Sequence, residues 1–157
     1  MPLTQVQQGM FGTNVAGNGP AFSAYQNSAQ TLTTSATLIQ FQTKEFDTAT
    51  AFNNTSSVVG TAAAWSFNPQ TAGYYIISGG ISVSSSSTSI LLSLYRDGVS
   101  FKVLAQPASA NAAFGSTLVY FNGSTDYVQL YATLGTGQAL TATAAATYFQ
   151  ASMVRSA

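Results

Sequence analysis

Residues 73–84 read GYYIISGGISVS, and this stretch decides the fold class. Side chains of an extended chain point alternately to opposite sides, so a period of two separates a buried set from an exposed set. Two adjacent glycines in the stretch leave room for a bend or for the close approach of a neighbouring strand. The stretch therefore predicts a half-buried β-strand, with Ile77, Ile81 and Val83 on one face and Ser78, Ser82 and Ser84 on the other.

Further strands are expected on both sides of this one. Residues 89–104, SILLSLYRDGVSFKVL, form the best hairpin, because Asp97 and Gly98 tolerate the positive φ angles of a tight turn. Residues 116–121 and 126–134 flank the turn sequence NGST, and a last apolar run, ATYFQASMV, ends close to the C-terminus. Short β-branched and aromatic runs separated by turn residues are typical of an all-β sandwich, and helices have little support.

The length of 157 residues fits one domain. The polar, glycine-rich residues 1–20 predict a short extended N-terminal arm, and residues 21–157 predict a single β domain. Three serine- and threonine-rich stretches, QNSAQTLTTSAT, SVSSSSTS and TATAAAT, lie between apolar runs. We interpret them as loops and outward strand faces, not as linkers between domains.

Charge is the unusual feature of the composition. Only 5% of the residues are Asp, Glu, Lys or Arg, and the net charge is zero, whereas soluble domains usually carry about 25%. Such a surface provides no basic field for nucleic acid or an anionic membrane, and no stretch approaches the ~18 apolar residues of a membrane span. We expect no nucleic-acid partner, no membrane insertion and no signal peptide, and a surface suited to fixed assembly.

The sequence has no histidine and no cysteine, which excludes serine–histidine triads, thiolate catalysis and zinc–cysteine sites. Glu45 and Asp47 lie close in sequence, so a carboxylate-dependent hydrolase is a remote alternative. We interpret both as solvent-facing residues on either side of Phe46, Asp97 as a turn residue, and Asp126 as a turn cap. Calcium bound by Asp126 with Glu45 or Asp47 is a second alternative. The prediction is a non-enzymatic protein without catalytic residues, cofactor or metal.

Eight tyrosines and ten phenylalanines are a large set for a chain with so few charges. Core packing can account for part of them. The alternative is that one sheet face meets identical copies around a threefold axis, where a tyrosine ring buries area while its hydroxyl finds a partner. The predicted interface residues are Tyr25, Tyr75, Tyr127, Tyr131 and Tyr148.

The order of these motifs, from Ala21 to Val154, resembles the C1q-like domain. AFSAYQ is similar to the opening strand of that family, and AAWSFNPQTAGYYIISGGISV to its aromatic-rich stretch through Phe67, Gly73 and Tyr75. LSLYRDG resembles a Leu-Tyr-x-Asn-Gly hairpin, STLVYFNGSTDYVQLYA its paired strands, and TYFQASMV its closing strand. The resemblance implies a two-sheet antiparallel jelly-roll sandwich of the C1q/TNF-like kind that forms homotrimers. The positions matching its turns and fold motifs are Gly73, Asp97, Gly98, Gly123 and Asp126.

The short arm, the depletion of charge and the abundance of Ser, Thr, Ala and Gly resemble C1q-like modules of bacteriophage virions. This resemblance implies a trimeric capsid decoration (cement) protein, made in the host cytoplasm, that lies on the virion surface and binds the major capsid protein or another virion protein. A standalone chain with its own initiator Met favours that interpretation. The alternative is a tail-fibre tip that recognises a host surface glycan or protein through loops at residues 82–89 and 106–116.

Overall fold

The computed structural model describes residues 19–60 and 62–157. The predicted arm at residues 1–20 therefore lies outside the described residues, except for Gly19 and Pro20. Pro20 lies against the C-terminal strand, because its carbonyl accepts a 3.1 Å hydrogen bond from the backbone N–H of Met153. No helix long and apolar enough to span a membrane is found among the described residues.

Twelve β-strands occur in the described part of the chain, and all pairings between them are antiparallel. The prediction of an all-β fold is confirmed. The strands are β1 Ala21–Tyr25, β2 Thr31–Leu32, β3 Thr37–Leu38, β4 Thr43–Asp47, β5 Phe52–Asn53, β6 Ser66–Phe67, β7 Gly73–Arg96, β8 Val99–Ala105, β9 Ala108–Phe121, β10 Val128–Leu134, β11 Gln138–Ala139 and β12 Tyr148–Ser156.

The 24-residue strand β7 organises the fold, because its two halves belong to different sheets. Residues 73–82 pair with β12 and β9, which gives sheet 1 the order β4, β1, β12, β7, β9. Residues 90–96 pair with β10 and β8, which gives sheet 2 the order β8, β7, β10, β6, β5, with β3 also on β10. Strand β12 lies between β1 and β7, so it is a central strand of sheet 1.

The predicted alternation in β7 is confirmed. Its inward side chains Ile77, Ile81 and Val83 are buried between the sheets. The two glycines allow close approach on opposite sides. A Cβ atom on Gly79 would lie 2.7 Å from the side chain of Leu130 in sheet 2, and one on Gly80 would collide with an aromatic ring on the outer face of sheet 1.

Aromatic rings from both sheets fill the core. Phe22 stacks on Phe52 at a centroid distance of 4.5 Å and on Phe67 at 4.6 Å, and it meets the edge of Phe149 at 5.2 Å. Each of these side chains is almost fully buried. Burial of such a ring contributes about 1.5–3 kcal/mol, so this cluster holds the two sheets as one rigid scaffold.

The hairpin between β7 and β8 is confirmed. Asp97 and Gly98 have φ angles of 52° and 79° and join Arg96 to Val99, which are paired in register. Asp126 caps the turn before β10, as predicted. Its carboxylate accepts a 2.9 Å hydrogen bond from the backbone N–H of Asn122 and forms an ion pair with the guanidinium of Arg96 at 2.5 Å.

Two other motif glycines also occupy positions that restrict the side chain. Gly123 has a φ of 76°, in the left-handed region that favours glycine. A Cβ atom on Gly73 would collide with the backbone carbonyl of Arg155. The positions that match the family's turns therefore need small or turn-forming residues for local steric reasons.

The expected loops at residues 82–89 and 106–116 are mostly strand, which corrects the sequence interpretation. Residues 82–89 lie inside β7, and Ala108–Phe121 form β9. The two strands stay paired through Ser87 and Ser89, with a register shift after Ser82. The hydroxyl of Ser85 bonds to Gln138 at 2.9 Å. Backbone pairing with β9 therefore makes this serine-rich segment a strand, although its polar composition predicts a loop.

Candidate functional site on the exposed face of sheet 1

The outward face of sheet 1 carries an unusual concentration of apolar side chains. Twelve large apolar residues are exposed in the described part of the chain, and six of them lie on this one face. Single exposed apolar residues are normal, whereas a contiguous patch indicates an interaction surface. We call these six residues the apolar face: Phe46, Tyr74, Ile76, Phe114, Leu118 and Tyr120.

Strand register brings these side chains together. Tyr74 lies directly opposite Tyr120, with ring centroids 5.3 Å apart, and Ile76 lies opposite Leu118. Phe114 lies over Gly80 and is nearly parallel to Tyr148, at a centroid distance of 6.1 Å. Cross-strand neighbours of this kind form a continuous surface and not a set of isolated residues.

A depression of about 210 Å³ lies beside this patch, towards β4. Phe46 and Ile76 form its apolar walls, and Ser78, Gln150 and Ser152 contribute uncharged polar groups. Its volume is below the ~300 Å³ at which small-molecule sites usually begin. A single apolar side chain from another molecule would fit such a depression.

Among the described residues, two charged groups border this surface. Glu45 is in the edge strand β4, where its carboxylate accepts a 2.6 Å hydrogen bond from the hydroxyl of Ser23. Arg155 pairs in register with Tyr74 near the end of β12. The centre is apolar and aromatic and the surroundings are mostly neutral, which is the composition of the buried centre of a protein–protein interface.

The structure separates the five predicted interface tyrosines. Tyr25 and Tyr148 pair in register on the outward face of sheet 1. Tyr131 is on the outer side of sheet 2, and Tyr127 lies just before the same strand, so neither shares a face with the first two. Tyr75 requires a correction, because its side chain is 0% exposed in the core.

Burial also explains the properties of Tyr75. Its hydroxyl donates a 2.9 Å hydrogen bond to the carbonyl of Thr71, and burial raises its pKa to about 12. Tyr74 and Tyr120, which sequence reasoning missed, take the exposed positions instead. The alternation of the strand could have identified them. Tyr75 and Ile77 are two residues apart and share the inward face, so Tyr74 points outward with Ile76.

The carboxylates have structural roles. Glu45 is exposed, as expected, but the side chain of Asp47 is only 6% exposed, which corrects its interpretation as solvent-facing. Asp47 accepts hydrogen bonds from Lys44 at 2.8 Å, from the N–H of Ala51 at 2.9 Å and from the N–H of Phe52 at 3.1 Å. It therefore fixes the turn that follows β4.

No group of three His, Cys, Asp or Glu side chains that could hold a metal ion occurs in residues 19–60 and 62–157. Calcium stays an untested alternative to the prediction of no metal, and the described acidic residues do not assemble a site for it. Asp126, one of its proposed ligands, is already paired with Arg96.

Solved structures similar to this chain identify the architecture. Murine APRIL superposes with a TM-score of 0.65 at 8% identity, over 86% of this chain and 98% of that one. Eiger TNF from S. frugiperda gives a TM-score of 0.61 at 10% identity, over 88% and 95%. The fold is a C1q/TNF-like jelly roll. At these identities the likeness shows the jelly-roll fold alone.

Comparison by sequence adds no closer relative. No family model matches the chain, and no curated protein sequence is significantly similar to it.

Proposed function

We propose that this jelly roll is a non-enzymatic structural module that assembles as a homotrimer through the apolar face. The observation that carries the proposal is the cluster of six apolar side chains on the outward face of sheet 1, bordered in the described part of the chain by Glu45 and Arg155. A second copy of the same chain suits this surface, because a net charge of zero opposes self-association only weakly.

The neighbouring edge of the sandwich offers a surface for that second copy. Val99, Phe101 and Val103 of the edge strand β8 are exposed. Lys102 bonds to the hydroxyl of Thr117 at 3.1 Å, which places β8 next to β9. A contact between the apolar face of one copy and the β8–β9 edge of the next is heterologous, and the proposal requires that a threefold rotation between copies closes it into a ring of three instead of an open filament.

Light scattering after size exclusion tests the assembly. A trimer of the 16.3 kDa chain has a mass of 3 × 16.3, about 49 kDa. A mass near 49 kDa at micromolar concentration would support the proposal. A monomer or a dimer would overturn it.

The finer proposal is that the trimer is a capsid decoration (cement) protein on the surface of a bacteriophage head, with the major capsid protein as its partner. Support comes from the charge-poor composition and from the resemblance to virion modules. Three linked copies would bind a symmetric shell far more tightly than one copy, because the second and third contacts are intramolecular. Decoration therefore depends on the trimer.

Co-sedimentation with capsids that lack this protein tests the decoration proposal. Binding by the trimer, together with an increase in the temperature at which the capsids open, is the expected result. A stable trimer that does not bind capsids but adsorbs to host cells would support the tail-fibre alternative. A trimer that does neither would overturn both virion proposals while leaving the assembly proposal intact.

A further inference from the structure

A polar groove lies on the outer face of sheet 2, on the side of the sandwich opposite the apolar face. Tyr95 of β7 and Tyr131 of β10 stack beside it with a centroid distance of 3.9 Å and an interplanar angle of 24°. The groove has a volume of about 60 Å³, and its lining includes Ser93, Ser100 and Thr133. A water-sized group needs roughly 10–15 Å³, so hydroxyl-sized groups fit into it. A whole sugar ring is too large to enter the groove and would have to lie over the tyrosine pair with only its hydroxyls inserted.

The hydroxyl groups of the groove are available to a ligand. The side chains of Ser93, Ser100 and Thr133 form no hydrogen bonds with the described part of the chain, and neither do the phenol groups of Tyr95 and Tyr131. Each hydroxyl can both donate and accept a hydrogen bond. Burial and the nearby phenols of Tyr95 and Tyr127 raise the pKa of Tyr131, so this phenol keeps its proton at neutral pH.

The nearest charged groups are occupied elsewhere. Arg96 forms ion pairs with Asp126 at 2.5 Å and with Asp97 at 3.5 Å. Lys102 donates hydrogen bonds towards β9 and lies over the ring of Phe101. The groove therefore offers ring surface and neutral hydroxyls but no free ionic partner for a charged ligand.

We propose that this groove binds a neutral sugar residue of a glycan. A pyranose ring has an apolar C–H face and a rim of hydroxyls, which match the tyrosine pair and the serine and threonine hydroxyls respectively. A purely apolar ligand would leave these hydroxyls without partners, which is unfavourable. The stacked tyrosines are held by β7 and β10, so little conformational entropy is lost when a ligand contacts them.

The site does not need the proposed assembly, because its lining residues belong to one chain and a monomer would present the same groove. Ser100 of the lining lies in β8, the strand proposed to meet the next copy, so a trimer places a neighbouring copy beside the groove. Three grooves on one trimer would raise a weak single-site affinity for a repeated glycan by avidity.

Saturation-transfer difference NMR on the intact protein tests the proposal, with glucose, galactose, mannose and N-acetylglucosamine as probes and N-acetylneuraminic acid as the charged comparison. At about 10 mM sugar, a site with a Kd of about 1 mM is mostly occupied. We expect saturation transfer to at least one neutral sugar and none to the charged one. Absence of transfer to all four neutral sugars, or transfer only to the acid, would overturn the proposal.

Variants locate the binding. Ala36 is an exposed residue of the groove lining, so Ala36→Trp should fill the groove without disturbing the core. It and Tyr131→Ala should each weaken binding about tenfold or more, which corresponds to about 1.4 kcal/mol. Val58→Ala, at a 68% exposed position outside both the groove and the apolar face, is the control and should bind as the unchanged protein does. Binding that survives Ala36→Trp, or that is lost equally in Val58→Ala, would place the sugar elsewhere and overturn the assignment.

Discussion

The two outward faces of the sandwich differ in what they leave exposed, although one strand contributes to both. In the first half of β7, Tyr74 and Ile76 point outward and are 41% and 42% exposed. In its second half, Ser93 and Tyr95 point outward, yet Ser93 is only 6% exposed and Tyr95 is partly covered. On β7, the half in sheet 1 thus exposes apolar side chains, while the half in sheet 2 covers polar ones.

This difference favours different partners for the two faces. Exposed apolar area costs about 25 cal/mol for each Å² that stays in water, so sheet 1 gains stability from being covered. The polar groove of sheet 2 is already shaped by its own side chains and gains little from a broad cover. The proposals place assembly on sheet 1 and selective binding on sheet 2, and each can be tested by itself.

The largest expected effect is on assembly. Leu118 lies in the apolar face and is 53% exposed, so Leu118→Asp should leave the fold intact and place an unpaired carboxylate in every interface of the trimer. Such burial costs several kcal/mol per site. We expect light scattering to report the monomer mass of 16.3 kDa instead of about 49 kDa.

The matched control introduces the same charge on the opposite side. Ala36 is exposed beside the groove of sheet 2, so Ala36→Asp should remain trimeric. A trimeric Leu118→Asp would contradict the role of the apolar face. Dissociation of both variants would mean that added charge alone, and not its position, controls assembly.

The second effect compares two adjacent tyrosines that point to opposite sides of sheet 1. The unfolded chain loses the Tyr75 proton near pH 10, whereas the folded protein keeps it until about pH 12. The stability contributed by the neutral phenol is therefore complete below pH 10 and is lost as pH rises towards 12, by about 1.4 kcal/mol for each pH unit. Tyr75→Phe should remove this loss, and Tyr74→Phe, at an exposed position, should retain it.

Urea unfolding between pH 8 and 12, at one protein concentration, measures both variants. At neutral pH, Tyr75→Phe should cost about 1 kcal/mol, because the 2.9 Å hydrogen bond to Thr71 is lost. Equal alkaline slopes for the two variants would show that burial of Tyr75 does not control the alkaline loss of stability.

Local rules explain what the sequence could predict. The inward residues of β7 follow from side-chain alternation, and the turn at Asp97 and Gly98 needs only two residues that accept a positive φ. Tyr75 was misplaced because it was chosen by residue type, although its position in the alternation already placed it in the core. Residue position was the better guide on this strand.

Other features depend on residues distant in sequence, which a local pattern cannot show. The serine run at residues 82–89 is strand because β9 and Gln138 supply hydrogen bonds to it. Asp47 is covered because it accepts the backbone N–H groups of the turn after β4. The groove of sheet 2 forms only when β7 and β10 bring Tyr95 beside Tyr131, so neither residue alone predicts it.

The smallest effect concerns the aromatic pairs on the two faces. Tyr95 and Tyr131 stack at 3.9 Å, whereas Phe114 and Tyr148 are 6.1 Å apart. Double-mutant cycles in which each ring is replaced by leucine measure the interaction free energy between the two rings of a pair. We expect about 1 kcal/mol for Tyr95 with Tyr131 and less than about 0.5 kcal/mol for Phe114 with Tyr148. Urea unfolding of protein dilute enough to be monomeric gives both values. A neighbouring copy would restrain the second pair, so its coupling should increase with protein concentration while the first stays constant. Coupling that is equal in the two pairs, or independent of concentration in both, would contradict the division between an assembling face and a binding face.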